Sequence, residues 1–200
     1  MAIKKTIAEL LETRAQQVPH DVFGLHAGME ITFGIMESRV NRLANGLAEL
    51  GVAAGQRVAV ILANHPDHIF TFFALAKLGA IWIPININLR GAGLKFIVEQ
   101  TSPRSVIVDS EFWPYLKSIS ATKTFNTIIV RNPGILAETI DVIDFAAVAR
   151  GEAASPRSIS SLGEVRAIFF TSGTTGPPKG SPLTEKMLTT CAAAAGKAAD

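Results

Sequence analysis

Cysteine is nearly absent: Cys191 is the only one in 200 residues. No intrachain disulfide can form, which excludes a disulfide-stapled secreted scaffold and makes the reducing cytoplasm the expected compartment. Clustered Lys and Arg are also missing. The formal net charge is only +2, so the chain lacks the basic footprint of a nucleic-acid binder. Long hydrophobic runs are missing too. Val58 to Ala63 and Gly79 to Ile85 are far short of the roughly 20 residues that cross a bilayer, and no transmembrane segment is expected. Met1 to Thr6 has a short basic start with no apolar run behind it, since Glu9 and Glu12 interrupt the next stretch, so a signal peptide is not expected. No internal repeat is found. What is abundant is apolar side chain, 48% of residues, enough for a sizeable core.

The pattern along the chain alternates. Thr6-Ile7-Ala8-Glu9 has the form of a capping box, in which the Thr hydroxyl and the Glu carboxylate satisfy each other's backbone N–H groups. Ile7, Leu10, Leu11 and Val18 continue at helical spacing up to Pro19. Val22 to Leu25 and Glu30 to Phe33 flank Ala27-Gly28 as a hairpin. Ile35 to Leu50 is the next helix, with Gly51 placed as the residue that ends it. Strands are expected at Arg57 to Leu62, Ala80 to Ile85, Ser105 to Val108, Thr127 to Val130 and Val165 to Phe170. Helices are expected at Asp67 to Leu78, Gly93 to Gln100, Phe112 to Ile119, Ile143 to Arg150 and Leu183 to Ala199. The strands are continuous apolar runs, which implies a sheet covered on both faces. The expected fold class is α/β, a mostly parallel sheet flanked by helices. Residues 151–163, small, polar and Pro/Ser-containing, are expected to be an exposed linker or long loop.

The segment after the strand at Val165 to Phe170 carries the chemistry. Thr171-Ser172-Gly173-Thr174-Thr175-Gly176-Pro177-Pro178-Lys179-Gly180 is dense in hydroxyls and glycines. Gly173 and Gly176 admit backbone angles closed to other residues and let N–H groups approach an anion with no Cβ in the way. Thr171, Ser172, Thr174 and Thr175 add hydroxyl donors, and Lys179 adds a mobile point charge suited to phosphate. Pro177 and Pro178 have no N–H and serve to stiffen the exit. A Walker A loop does not fit: the second glycine comes too early, and Gly180 follows Lys179 where a Ser/Thr magnesium ligand belongs. A plain turn between a strand and a helix explains neither the donor density nor Lys179.

From Phe170 to Gly180 the chain resembles, without a mismatch, the phosphate-loop signature [YF]-T-S-G-T-T-G-x-P-K-G of the adenylate-forming (AMP-binding) superfamily, which includes acyl-CoA synthetases, luciferases and peptide-synthetase adenylation domains. Gly51-Val52, Gln56-Arg57-Val58-Ala59, Asn64, Phe72-Phe73-Ala74, Gly79-Ala80, Pro84-Ile85-Asn86 and the segment Leu94 to Asp109 occur in that family's order. The resemblance covers nearly the whole chain. It implies an ATP-dependent ligase that joins a carboxylic acid to ATP, giving an acyl-adenylate and pyrophosphate, and then passes the acyl group to coenzyme A. Mg²⁺ would share the phosphate charge. Carried over by position, Thr171, Ser172, Gly173, Thr174, Thr175, Gly176 and Lys179 would be the triphosphate contacts. A CoA ligase is favoured over a luciferase-like enzyme or a peptide-synthetase adenylation domain, because the chain opens on the enzyme's own first helix with no carrier or condensation module before it.

The resemblance also implies an incomplete enzyme. The family's adenine segment, ribose Asp, hinge and C-terminal catalytic lysine are not in this sequence, and neither Lys186 nor Lys197 stands in the lysine's context. Residues 1–200 are thus expected to be the first portion of the large N-terminal domain, inactive alone, with exposed apolar surface that favours self-association. Many members have a Thr-His-x-Asn stretch shortly after the loop. Here Thr184 is followed by Glu185, a carboxylate that would repel phosphate if it pointed inward. A second function class is a non-catalytic nucleotide- or partner-binding module. His65, Asp67 and His68 are read as a loop and helix start, with Asp67 at the positive helix end, rather than as a metal site. Trp82 and Trp113 are read as packing residues, and Arg90 as a solvated loop residue.

Overall fold

The computed structural model describes residues 4–119, 125–134, 136, 141–156, 161–171 and 178–198, the last four without their side chains. Helix α1 (Ile7–Gln17) starts on the expected capping box. Thr6 Oγ1 accepts the Glu9 N–H at 3.2 Å, and the Glu9 carboxylate accepts the Thr6 N–H at 2.7 Å. Strands β1 (Val22–His26) and β2 (Met29–Thr32) pair antiparallel, and the turn residues Ala27 and Gly28 both have positive φ, as a two-residue hairpin requires. Helix α2 (Phe33–Glu49) begins where the Thr32 hydroxyl accepts the Ile35 N–H. It ends in a Schellman motif, with Gly51 N–H on Ala48 O and Val52 N–H on Leu47 O, and Gly51 supplies the left-handed residue (φ 82°).

The central sheet comes next: β3 (Arg57–Ile61), α3 (Pro66–Lys77), β4 (Ile81–Pro84), α4 (Gly91–Thr101), β5 (Ser105–Asp109), α5 (Trp113–Ser118), β6 (Thr127–Arg131), β7 (Ile143–Asp144), α6 (Phe145–Val148), β8 (Val165–Thr171), β9 (Lys179–Thr184) and α7 (Glu185–Ala198). Among the described residues its order is β7-β6-β5-β3-β4-β8-β9, parallel throughout except for the β8–β9 pair. Alternate residues of each strand serve opposite faces. Val58, Val60, Ile107 and Ile129 pack with α1, α2, α3 and α6, whereas Ala59, Ile61, Ile83, Val106, Val108 and Val130 pack with α4 and α5. Both faces are covered, which explains the unbroken apolar strands. Trp113 lies in the second core and Trp82 packs against the first, as expected.

Two expected helices are corrected. Ile143 and Asp144 form strand β7 on β6, and the helix begins only at Phe145, because the Asp144 carboxylate caps the Ala146 N–H at 2.9 Å. Lys179 to Thr184 is a strand, so the last helix starts at Glu185 instead of Leu183. Pairing with β8 overrides the local pattern there, and Pro182 is tolerated because β9 is an edge strand.

Residues 151–155 are strapped onto α2 and α3. Asn41 Nδ2 donates to Ala153 O, Arg42 to Gly151 O, and Asn45 Nδ2 to Glu152 O and Ala154 O. Lys77, buried with its Nζ 2.7 Å from Glu37 Oε1, also donates to the Ser155 hydroxyl. The approach to α2 just before the strap requires glycine: a Cβ at Gly46 would lie 2.0 Å from Val148 O. Gly46→Ala is therefore expected to destabilise by about 1–3 kcal/mol or more. Gly24→Ala, where a Cβ meets nothing within 4 Å, should stay within about 0.5 kcal/mol. Urea unfolding of both variants checks the contrast.

Candidate functional site

The chain steps from β3 to β4 on one side, then crosses back to β5 on the other. In open α/β sheets, ligands bind beyond the carboxyl ends of the strands where the order reverses in this way. The described residues at that edge come from the segments after β3, β5, β6 and β8.

Strand β8 is built to hold its end firmly. Ile168 and Phe170 point toward α4 and pack on the second core. The Phe170 ring lies over Gly180 on β9, where an added Cβ would be only 3.1 Å from the ring. A hollow of about 300 Å³ lined by Phe96, Gln100, Pro178 and Pro182 opens beside them. Phe169 points the other way and meets Trp82 edge-on at 5.4 Å between ring centroids, and Trp82 in turn packs on Phe72 at 4.8 Å. Thr171 follows Phe169 at the two-residue strand period, so it shares that face. Lys179 is its cross-strand partner and shares it too. The structure thus brings two of the expected site residues, Thr171 and Lys179, side by side and exposed at the mouth of a hairpin. Ser172, Gly173, Thr174, Thr175 and Gly176 form the connection and lie outside the described residues.

At the same carboxyl edge, but separated from β8 by β3 and β4, is a charged cluster that sequence reasoning missed. Asp109, buried at the end of β5, accepts the Ala63 N–H at 2.8 Å and the Arg131 Nε–H at 2.5 Å, with a second Arg131 bond at 3.0 Å. Arg131 also lies 3.7 Å from Asp67 Oδ2. The hydrogen bond to Asp109 raises the Arg131 pKa further above its ordinary value. This guanidinium is committed to carboxylates, whereas Lys179 at the hairpin mouth is exposed. The one signal in the sequence was a charged residue closing each of two apolar strands, Asp109 and Arg131.

The histidines play structural parts. His65 is the N-cap of α3, its Nδ1 accepting the Asp67 N–H at 3.2 Å. His68 packs on Trp82, and its Nε2 is buried without a hydrogen-bond partner. Among the described residues, no three His, Cys, Asp or Glu side chains gather to hold a metal. Glu185 turns away from the loop. Its carboxylate accepts the Ile7 N–H at 2.5 Å and lies 3.3 Å from Arg166 Nε. Glu185 follows Thr184 at the end of β9 opposite Lys179, so its carboxylate is not at the hairpin mouth.

A family model described as AMP-binding enzyme matches residues 11–199. The chain belongs to the AMP-binding enzyme family. It is 32% identical to a feruloyl-CoA synthase of Amycolatopsis sp over 176 residues, 88% of this chain and 33% of that protein. It is 30% identical to a long-chain-fatty-acid–CoA ligase of Mycobacterium tuberculosis over 187 residues, 92% of this chain and 36% of the relative. The solved structure of an anthranilate CoA ligase in complex with anthranoyl-AMP superposes with a TM-score of 0.82 at 25% identity, over 93% of this chain and 36% of that one. The chain spans about a third of the length of the curated relatives it matches. The α/β fold expected from the sequence is that of AMP-binding enzymes, and no helix among the described residues is long and apolar enough to cross a membrane.

One titration in this AMP-binding fold has a readable sign. Burial lowers the His68 pKa below its ordinary value. The Asp109 carboxylate and the Leu62 backbone pull it up, Arg131 pushes it down, and burial dominates. The unfolded chain therefore binds a proton at His68 more readily than the folded one. The contribution is fully present above about pH 6.5, the unfolded value, and is lost as pH falls below it. Thermal unfolding between pH 7 and 5 should show stability falling with pH, with a shallower slope in His68→Phe.

Proposed function

We propose that this chain is the triphosphate-binding portion of an ATP-dependent ligase that activates a carboxylic acid as its acyl-adenylate and then forms a thioester with coenzyme A. The observation that carries the reading is the pairing of Thr171 with Lys179 at the mouth of a hairpin whose connection is Ser172-Gly173-Thr174-Thr175-Gly176 followed by two prolines. The matched relatives are a CoA synthase and CoA ligases, which favours coenzyme A as the acceptor.

When a carboxylate attacks the α-phosphorus, the leaving pyrophosphate gathers negative charge. Donors aimed at the β and γ phosphates stabilise that charge most where water is thin. Lys179 would neutralise it as a point charge, and the hydroxyls of Thr171, Ser172, Thr174 and Thr175 would donate to phosphate oxygens. The N–H groups around Gly173 and Gly176 would line the same concavity. Mg²⁺ would arrive on the triphosphate and share its charge. The described residues gather no carboxylate set at the mouth to hold the ion by themselves. The exposed Cys191 on α7, the one thiol in the chain, suits a cytoplasmic protein.

The 200 residues alone should form no acyl-adenylate with any of a panel of acids. They should bind MgATP more weakly than micromolar, and more weakly still as salt rises. Lys179→Ala should cost about tenfold of that affinity, the value of one charge-assisted contact. Calorimetry or ligand-detected NMR reads the affinity. Micromolar binding, or adenylate formed by these residues, would overturn the proposal. Leu25 at 72% and Met29 at 66% exposure, with Val22 and Ile69 nearby, leave apolar surface on the β1–β2 hairpin and α3. Concentration-dependent self-association in sedimentation velocity is expected, and should weaken in Leu25→Ser.

A further inference from the structure

We infer that Glu185 and Arg166 are positioning residues for the phosphate loop: together they lock the base of the β8–β9 hairpin and so decide on which face Lys179 emerges. The inference rests on the reading of that loop as a triphosphate site.

The geometry begins with a bulge. Val165 faces Thr184 and Ala167 faces Leu183, so Arg166 is the extra residue of β8. A bulge frees one side chain from the strand's alternation and re-aims it. Arg166 uses that freedom to turn inward, where only 3% of it is exposed. Its Nη1 donates to Gly79 O at 3.0 Å, on the turn that feeds β4, and its Nη2 contacts the Glu164 carboxylate. Its Nε lies 3.3 Å from Glu185 Oε2.

Glu185 is the first residue after β9 and is fully buried. Its other oxygen accepts the N–H of Ile7, one of the N–H groups in the first turn of α1. The Thr189 hydroxyl donates to Glu185 O at 3.0 Å, holding the turn from strand to helix. One carboxylate therefore joins β8, β9 and α1 at the end of the hairpin opposite the loop.

The consequence for the loop is a matter of register. From Ala167↔Leu183 to Thr171↔Lys179 the ladder runs without interruption. A slip of one residue would send every β9 side chain to the other face. Lys179 would then leave the Thr171 face for the α4 side. The close approach of Gly180 to the Phe170 ring and the Glu185 N–H bond to Glu164 O oppose such a slip as well, but β9 is an edge strand containing Pro182, and Lys179 to Pro182 are exposed. The buried pair is a register pin: loss of Glu185 takes from Arg166 one of its two carboxylates and from the Ile7 N–H its acceptor.

The test uses the 200-residue chain. Amide exchange is followed across β8 and β9 against β3 and β5, and MgATP affinity is titrated at low ionic strength for Glu185→Ala, Lys179→Ala and the double variant. Glu185→Ala should speed exchange about tenfold or more in β8 and β9 while β3 and β5 hold. It should weaken MgATP about as much as Lys179→Ala does, and the double variant should bind no worse than Lys179→Ala alone, because both changes remove the same contact. Additive losses, or unchanged exchange in the hairpin, would overturn the inference. If Glu185→Ala does not fold, Glu185→Gln, which keeps an acceptor for Ile7 but loses the charge facing Arg166, should give a smaller loss of the same non-additive kind. If Lys179→Ala leaves MgATP affinity unchanged, the triphosphate reading fails, and hairpin exchange alone decides whether the pin exists.

Discussion

Strand β3 has no face turned to water, and the layers of the fold result from that constraint. Val58 and Val60 need apolar cover on one side, Ala59 and Ile61 on the other. A parallel neighbour can be reached only by a crossover, and the crossovers supply the cover: α3 on one face on the way to β4, α4 on the other on the way back to β5. The crossing that covers β3 is also the reversal of strand order.

Charges in this fold are buried at the seams between layers instead of at their centres. Lys77 with Glu37 sits where α2, α3 and the strap meet; Asp109 with Arg131 closes the ends of β5 and β6; Arg166 with Glu185 closes the base of the last hairpin. Taking such groups out of water is costly, and pairing recovers little net stability. What each pair supplies is geometry, since a buried charge tolerates only the arrangement in which its partner is present. That distinguishes them from the Lys95–Glu99 pair on the surface of α4, 3.7 Å apart and open to solvent, which is worth a few tenths of a kcal/mol at about the level of any exposed pair.

The legible parts of this chain were those governed by local rules. The capping box at Thr6, the Ala27-Gly28 turn, Gly51 as a helix stop and the doubly buried strands could each be read within a window of a few residues, and each stands. The motif from Phe170 to Gly180 stood out in the sequence because its donor density has no local structural purpose. Its setting was not legible. Lys179 to Thr184 has no strand signature of its own, with Gly180 and Pro182 inside it, and becomes a strand only because β8 offers a free edge. Asp144 was hidden for a similar reason: a cap inside an apparently helical run looks like part of the helix. Glu185 shows the limit most clearly. In sequence it was a carboxylate near a phosphate site; in space its partners are Ile7 and Arg166, one of them 178 positions away.

The strap at residues 151–155 has a consequence in time. It comes after β7 and α6, at one end of the sheet, and the next strand, β8, lies beyond β4 on the far side. The chain must therefore traverse the width of the sheet before β8 can dock, and the side-chain amides of Asn41 and Asn45 mark the route along α2. During synthesis, β3 to β6 with their helices complete a two-faced core while the residues of the hairpin are still to come. The hairpin can add only to a platform already made, closing contacts as distant as Arg166 to Gly79, whose loop-closure cost slows their formation. The ends of β8 and β9 that carry Thr171 and Lys179 thus take their places on a surface finished without them.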